Sequence, residues 1–122
     1  MHKLEKIAEQ IRQNFDQRNA ARDEALKQAR QLTRACSLAI RAVHRNEFDT
    51  METNLAEAQS RADKLRNDLK KHSDLYYAGY TQDSLKEYVE ANVTCALIQN
   101  QALQTPEDLG VEYATYLNGL AE

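Results

Sequence analysis

Residues that interrupt helices are scarce in this chain, which has one proline and three glycines among 122 residues. Clusters of valine, isoleucine and threonine, which are typical of strands, are absent from the sequence. The dominant residues are Ala, Leu, Glu, Gln, Lys and Arg, all of which favour helices. A chain of this length suffices for one modest domain and is too short for two. We therefore predict a single all-α domain over residues 1–122.

The chain also lacks long apolar runs and paired cysteine motifs. No segment is apolar over the length that spans a membrane, and the N-terminus has no signal-peptide core. Its two cysteines, Cys36 and Cys95, are far apart and lie among apolar positions of helical patterns. This arrangement predicts free buried thiols, which fits a reducing cytoplasm. We therefore expect a cytoplasmic protein without a membrane partner.

Charge is unevenly distributed along the sequence. Residues 1–47 contain ten Lys or Arg and six Asp or Glu, whereas residues 74–122 contain one Lys and eight Asp or Glu. A basic part beside an acidic part predicts two electrostatically different surfaces. Phosphates could lie along the first surface, and a metal ion could bind at the second.

Apolar residues recur at helical spacing along the first third of the chain, and no Pro or Gly interrupts residues 3–45. The pattern predicts one helix of about 40 residues, roughly 60 Å long. A helix of that length cannot bury itself in so small a domain, so it must pack along other long helices or a second subunit. The positions that carry the pattern are Leu4, Ile7, Ile11, Phe15, Leu26, Ala29, Leu32, Cys36, Ile40 and Val43.

Three further helices are predicted after a break at residues 46–48. Asp49 or Thr50 is the predicted N-cap of the second helix, which returns antiparallel to the first as a helical hairpin. The third helix is predicted to begin near residues 82–84 and to end near residue 101. Pro106 opens the following segment, and the last helix begins near residues 108–111. The fold class is therefore a long antiparallel helical hairpin plus two further helices.

The segment 75–91, LYYAGYTQDSLKEYVEA, holds the candidate site. Glu87 and Glu90 are three positions apart in the third predicted helix, so the two carboxylates lie on one face and can converge. Because like charges repel, a hard cation such as Mg²⁺ or Mn²⁺ would relieve the arrangement. The alternative is a solvated helix surface with no special role.

Four segments resemble the translin family, in particular its prokaryotic members and its catalytic branch, translin-associated factor X. The most specific is residues 75–91, where the tyrosines, the glycine, KE and ExxE follow the order found in the family. The other segments are ARDEALKQARQLTRACSLAIRAVHRNEF (21–48), TPEDLGVEY (105–113) and TYLNGLAE (115–122).

The resemblance implies an all-α bundle of about seven helices that assembles into closed, barrel-like homo-oligomers around nucleic acid. Some members bind single-stranded RNA or DNA without cleaving it, and others are Mg²⁺-dependent endoribonucleases. The catalytic glutamate pair of the nuclease branch corresponds to Glu87 and Glu90, as metal ligands and catalytic residues. The resemblance also leads us to expect a chain truncated at the C-terminus, with the later acidic ligand of the family beyond Glu122.

We therefore predict a single-stranded RNA- or DNA-binding protein that acts as a Mg²⁺-dependent endoribonuclease in its intact oligomer. The predicted nucleic-acid-binding residues fall into two groups. Basic side chains of the first helix would orient the backbone, and tyrosines would stack on unpaired bases, typically worth about 1–3 kcal/mol per base. These residues are Arg34, Arg41, His44, Arg45, Tyr76, Tyr77 and Tyr80.

Each assignment has an alternative that the residues leave open. The arginines could be solvated, the tyrosines could pack the joint before the third helix, and His44 could interact with a helix C-terminus. For the whole chain, the alternatives are a non-catalytic single-stranded nucleic-acid-binding module and a purely structural helical hairpin. Binding that persists in EDTA without cleavage would indicate the module, and no affinity even at low salt would indicate the hairpin.

Overall fold

The computed structural model describes residues 2–122, and within them the regular structure is entirely helical. This confirms the predicted all-α fold class. Four helices are long enough to build the bundle, and two are single turns between them. In chain order the helices are α1 (His2–His44), α2 (Phe48–Asp68), α3 (Ser73–Tyr76), α4 (Gly79–Ile98), α5 (Pro106–Leu109) and α6 (Tyr113–Ala121).

The first two helices form the predicted antiparallel hairpin. Gln28 donates a hydrogen bond to Asp68 at 2.9 Å, and Arg61 donates one to Gln31 at 2.7 Å, so the earlier of these two α1 residues faces the later of the two α2 residues. Asn46 adopts a left-handed backbone (φ 59°) at the turn. Because this turn reverses the chain early, α2 begins at Phe48 after Glu47, and the predicted N-cap at Asp49 or Thr50 is wrong.

The third long helix, α4, packs against both helices of the hairpin. It begins at Gly79, earlier than the predicted residues 82–84, and ends at Ile98 instead of near residue 101. Asn100 is left-handed (φ 57°) and Gln101 donates back to the Ala96 carbonyl at 2.8 Å, which ends the helix. The fully buried apolar side chains shared by these helices include Leu32, Cys36, Leu65, Leu85 and Val89.

The segment that Pro106 opens forms a single helical turn, α5, and the last helix, α6, begins at Tyr113 and not near residues 108–111 as predicted. Thr105 and Asp108 form a reciprocal capping box around Pro106, and Gly110 ends this single turn with a left-handed backbone (φ 66°). Helix α6 packs against α4. Gly119 lies so close to α4 that a Cβ there would be 2.6 Å from the Cβ of Val89. The close approach at Gly119 therefore determines where the end of α6 lies beside α4.

Two further expectations can be compared with the structure. Cys36 and Cys95 are free and buried, as predicted. Burial raises the pKa of the Cys36 thiol to about 12, with smaller contributions from Glu87 and Glu90, and raises that of Cys95 to about 11. Within residues 2–122, none of the helices combines the length and the hydropathy that crossing a membrane requires.

Candidate functional site

Glu87 and Glu90 lie together on α4, as the helical spacing predicted, and both are half-buried. The neighbouring positions Tyr88 and Val89 are buried in the core, which fixes the rotation of α4 about its axis. Glu87 lines a groove between α1 and α4, and both carboxylates raise the pKa of the Cys36 thiol on α1. The pair therefore lies beside the contact between α1 and α4 and is partly open to solvent.

The carboxyl group of Glu90 resists ionisation. Burial raises its pKa to about 7, assisted by a hydrogen bond with Glu87 and by the negative charge of that residue. The carboxylate of Glu122 raises this pKa further, and the ammonium of Lys86 partly opposes the increase. Near neutral pH, the pair therefore holds less than its full negative charge unless a cation joins it.

A third carboxylate, that of Glu122, approaches the pair from the end of α6. It accepts a hydrogen bond and an ion pair from Lys86 at 3.1 Å. Glu122 is not among the predicted site residues, since the later acidic residue was expected beyond it. Within residues 2–122, no three side chains of His, Cys, Asp or Glu are placed to hold a metal ion. The chain thus offers two adjacent carboxylates and a third that is bound to Lys86.

A groove of about 570 Å³ lies between α1 and α4, and Glu87 is one of its walls. It brings together three predicted site residues, Arg34, Tyr80 and Glu87, and one that the sequence analysis missed, Arg30. Both arginines are exposed, and neither belongs to an ion pair within residues 2–122. The complete lining is Leu26, Ala29, Arg30, Thr33, Arg34, Tyr80, Asp83, Ser84, Lys86 and Glu87.

Tyr80 lines this groove because α4 already begins at Gly79, which is earlier than predicted. The residue lies in the first turn of α4, and its ring is partly buried against the core. Its hydroxyl oxygen is buried and has no hydrogen-bond partner within residues 2–122. A buried hydroxyl without a partner is costly, so it favours a ligand or a water that can bond to it in the groove.

The other predicted nucleic-acid-binding residues lie elsewhere. Arg41, His44 and Arg45 are exposed at the C-terminal end of α1. At 1.5 Å per residue, they lie about 10–16 Å along the helix from Arg34. They do not line the groove between α1 and α4.

Tyr76 and Tyr77 line a separate cleft of about 320 Å³ with Arg66, Leu69, Lys70 and Ser73. Their rings meet edge to face with centroids 4.9 Å apart. The Tyr76 hydroxyl donates to Glu112 at 3.3 Å, whereas the Tyr77 side chain is exposed. The structure therefore divides the predicted tyrosine cluster, with Tyr80 beside the glutamates and the other two on the α2–α3 side.

One sequence signal could have identified Arg30. It lies four residues before Arg34, so the two side chains lie on one face of a helix, as do Asp83 and Glu87 on α4. Other basic residues of α1, such as Arg18 and Arg22, are also four positions apart. Arg30 and Arg34 differ from them because α4 packs beside them and forms the groove. Glu122 gave no local signal, because its position depends on how α6 packs.

The comparisons with known proteins agree with the fold. No protein-family model and no curated protein matches the chain. The fold is similar to that of apo-NeC3PO, a translin-associated factor X/C3PO protein known from a crystal structure, with a TM-score of 0.86 and 20% sequence identity. The match covers 93% of this chain and 60% of that chain, so this chain spans well under the full length of the protein that it matches. The chain therefore resembles the translin family in its fold, as its sequence predicted.

Proposed function

We propose that this chain binds single-stranded RNA or DNA and, in its intact oligomer, cleaves single-stranded RNA with Mg²⁺ or Mn²⁺ held by Glu87 and Glu90. The observation that carries the proposal is the groove between α1 and α4, where Glu87 lies with Arg30 and Arg34, two arginines that form no ion pair within residues 2–122. Glu90 lies one turn further along α4, next to the groove lining. Carboxylates would hold the cation while guanidinium groups hold the phosphate beside it.

The donor set fits a partly hydrated cation. Mg²⁺ in nucleotide-processing sites commonly uses one or two carboxylates and completes its shell with water and substrate phosphate. The pKa of Glu90 is raised mainly by burial and further by Glu87 and Glu122, so a cation bound beside it would favour the ionised carboxylate. A bound cation would activate a water and neutralise charge on the scissile phosphate. Glu122 could add its carboxylate if Lys86 released it.

The groove residues would position the nucleic acid. Arg30 and Arg34 are one turn apart on α1, a spacing that lets both guanidinium groups contact one phosphate or two neighbouring ones. The partly buried Tyr80 would form part of the groove wall against which the strand packs. The Tyr76–Tyr77 cleft, with Lys70 at its edge, would accept a more distant part of the strand.

The test is cleavage of a labelled single-stranded RNA in Mg²⁺ and in EDTA, with binding measured in both conditions. Products in Mg²⁺ alone support the proposal. A second candidate, a module that binds without cleaving, is favoured by the lack of a complete metal-ligand set within residues 2–122. Binding in EDTA with no product in Mg²⁺ would select that candidate.

Replacing Arg34 with glutamine is expected to weaken RNA binding and to reduce its salt dependence. Removing one interaction between a basic side chain and a phosphate of a single strand lowers the slope of log affinity against log salt by about 0.7. The measurement is fluorescence anisotropy over a salt series for Arg30→Gln and Arg34→Gln. Arg22→Gln, on the exposed part of α1 outside the groove, is the matched control. Equal slopes for all three variants would contradict a phosphate role for the groove.

Binding of Mg²⁺ is expected to strengthen about tenfold between pH 6 and pH 8. Glu90 has a pKa of about 7, so below that pH a proton competes with the cation, and above it the carboxylate is free. The increase also depends on Glu87 and Glu122, which raise this pKa, and on Lys86, which lowers it. Calorimetry in two buffers should detect one released proton at pH 6. An affinity that is constant over this range would contradict the site, and Glu90→Gln should weaken Mg²⁺ binding at pH 8.

A further inference from the structure

The N-terminal segment of α1 lies outside the helical bundle. Every residue from 2 to 20 is exposed, and the buried positions of α1 begin at Ala25. One ion pair, between Arg18 and Asp74, links the segment to the other helices of residues 2–122. At 1.5 Å per residue, the segment extends about 28 Å without packing.

The exposed segment carries a continuous apolar stripe, which we call the α1 stripe: Leu4, Ile7, Ile11 and Phe15. These side chains are 58%, 46%, 62% and 64% exposed, although their spacing of three and four residues puts them on one face. Single exposed apolar residues are ordinary, but an aligned row marks an interaction surface. An isolated helix of this length is also marginal in water, so its stability depends on a partner for that face.

We propose that the α1 stripe pairs with the same stripe of a second copy of this chain, as an antiparallel two-helix contact. In this register Leu4 lies opposite the partner's Phe15, and Ile7 lies opposite the partner's Ile11. The row is thus self-complementary, because the larger ring of Phe15 in each copy faces the smaller Leu4 side chain of the other copy. A two-fold contact of this kind uses the same surface on both copies.

Charge on the segment favours the antiparallel arrangement. Lys3 and Lys6 lie near its beginning and Asp16 near its end, so Lys3 comes opposite the partner's Asp16. A parallel pair would instead place lysine against lysine. In the middle, Glu9 and Arg12 already form an ion pair within the helix. The segment holds four basic and three acidic side chains, so two copies repel each other little.

This contact is independent of the proposed function, because none of its residues lines the groove between α1 and α4. It would exist in a chain that binds no RNA. It also specifies the seam, the register and the direction of the pairing, which a general expectation of homo-oligomers leaves open.

The first experiment is sedimentation equilibrium on the full chain, whose single-copy mass is 14.0 kDa. We expect an assembly of at least two copies, and Ile7→Asp with Ile11→Asp should weaken the contact about 100-fold or more. Leu97→Asp is the matched control, because this exposed apolar residue lies on α4, away from the stripe. A monomeric chain, or equal weakening by the control, would overturn the proposal. Because the stripe touches no core residue, the bundle of the double variant should still fold, which circular dichroism checks.

The second experiment tests direction. Leu4→Cys and Phe15→Cys are made as separate variants and mixed under mild oxidation, with the natural cysteines buried. An antiparallel pair should give a disulfide between the two different variants and little within either one. Disulfides formed mainly within each variant would indicate a parallel pair and overturn the register. A chain that remains monomeric in solution and binds anionic lipid vesicles through the stripe would overturn the choice of partner.

Discussion

Replacing Glu87 or Glu90 with glutamine is expected to lower Mg²⁺-dependent cleavage of single-stranded RNA by about 100-fold or more. Glutamine keeps the size of the side chain but removes the charge that holds the cation, and loss of the cation removes the activated water. Binding of RNA in EDTA should remain close to that of the unsubstituted protein, because the arginines of the groove are unchanged. The measurement is single-turnover cleavage of a labelled strand, beside anisotropy in EDTA.

The control is Glu52→Gln, which removes an equivalent exposed carboxylate from α2. It should cleave normally. Cleavage within about twofold of normal by the double variant of Glu87 and Glu90 would exclude the pair as the metal site, since such a loss of charge should cost several kcal/mol of transition-state stabilisation. Reduced binding in EDTA would instead indicate that the pair shapes the groove.

Loss of folding can be distinguished from loss of chemistry by the pH dependence of stability. The folded-state pKa of Glu90 is raised to about 7, above its ordinary value. Its contribution to stability is therefore complete below the ordinary pKa and is lost as pH rises through 7. Glu90→Gln should escape this loss and unfold at an equal or higher temperature than the unsubstituted protein at pH 8. A variant that is stable but does not cleave has lost the site and not the fold.

Helical periodicity explains why the sequence predicted so much of the fold. The apolar positions of α1 and α2 repeat over many turns, and few residues interrupt them, so the hairpin followed directly. Helix ends were less predictable because they depend on single residues. The third helix was predicted to begin near residues 82–84, yet the Ser84 hydroxyl donates to the Thr81 carbonyl at 2.7 Å inside α4. The helix begins instead after Ala78, which is extended and provides no side-chain cap.

The site could be predicted only where its residues are close together in the sequence. The spacing of Glu87 and Glu90 is local, so the sequence predicted that they share a face. Arg30, Tyr80 and Glu122 reach the groove or the pair through packing between helices, which no local pattern encodes. The division of the tyrosines follows from one boundary, because α4 begins at Gly79 and carries Tyr80 away from Tyr76 and Tyr77.

Replacing Gly119 with alanine is expected to destabilise the protein by about 1–3 kcal/mol, the usual cost of overpacking. The new Cβ would lie 2.6 Å from both Cβ and Cγ1 of Val89 and 3.0 Å from the Lys86 carbonyl oxygen. Val89 is fully buried and cannot rotate away, so α6 must move from α4. Equilibrium denaturation should detect the change as a lower midpoint with an unchanged slope.

Gly79→Ala is the matched control, since a Cβ at that position meets nothing within 4 Å. Alanine at the first position of α4 should leave stability unchanged or raise it slightly, because alanine is the better helix former. Equal stability of the two variants would show that α6 does not depend on close contact at Gly119.

The outcome also concerns the site, because Gly119 lies one turn before Glu122. If α6 moves away, the negative charge of Glu122 withdraws from the pair, and the pKa of Glu90 should fall below about 7. The pKa of Glu90 can be measured by NMR titration. If Gly119→Ala lowers both this pKa and the denaturation midpoint, the packing of one glycine controls the charge state of the glutamate pair.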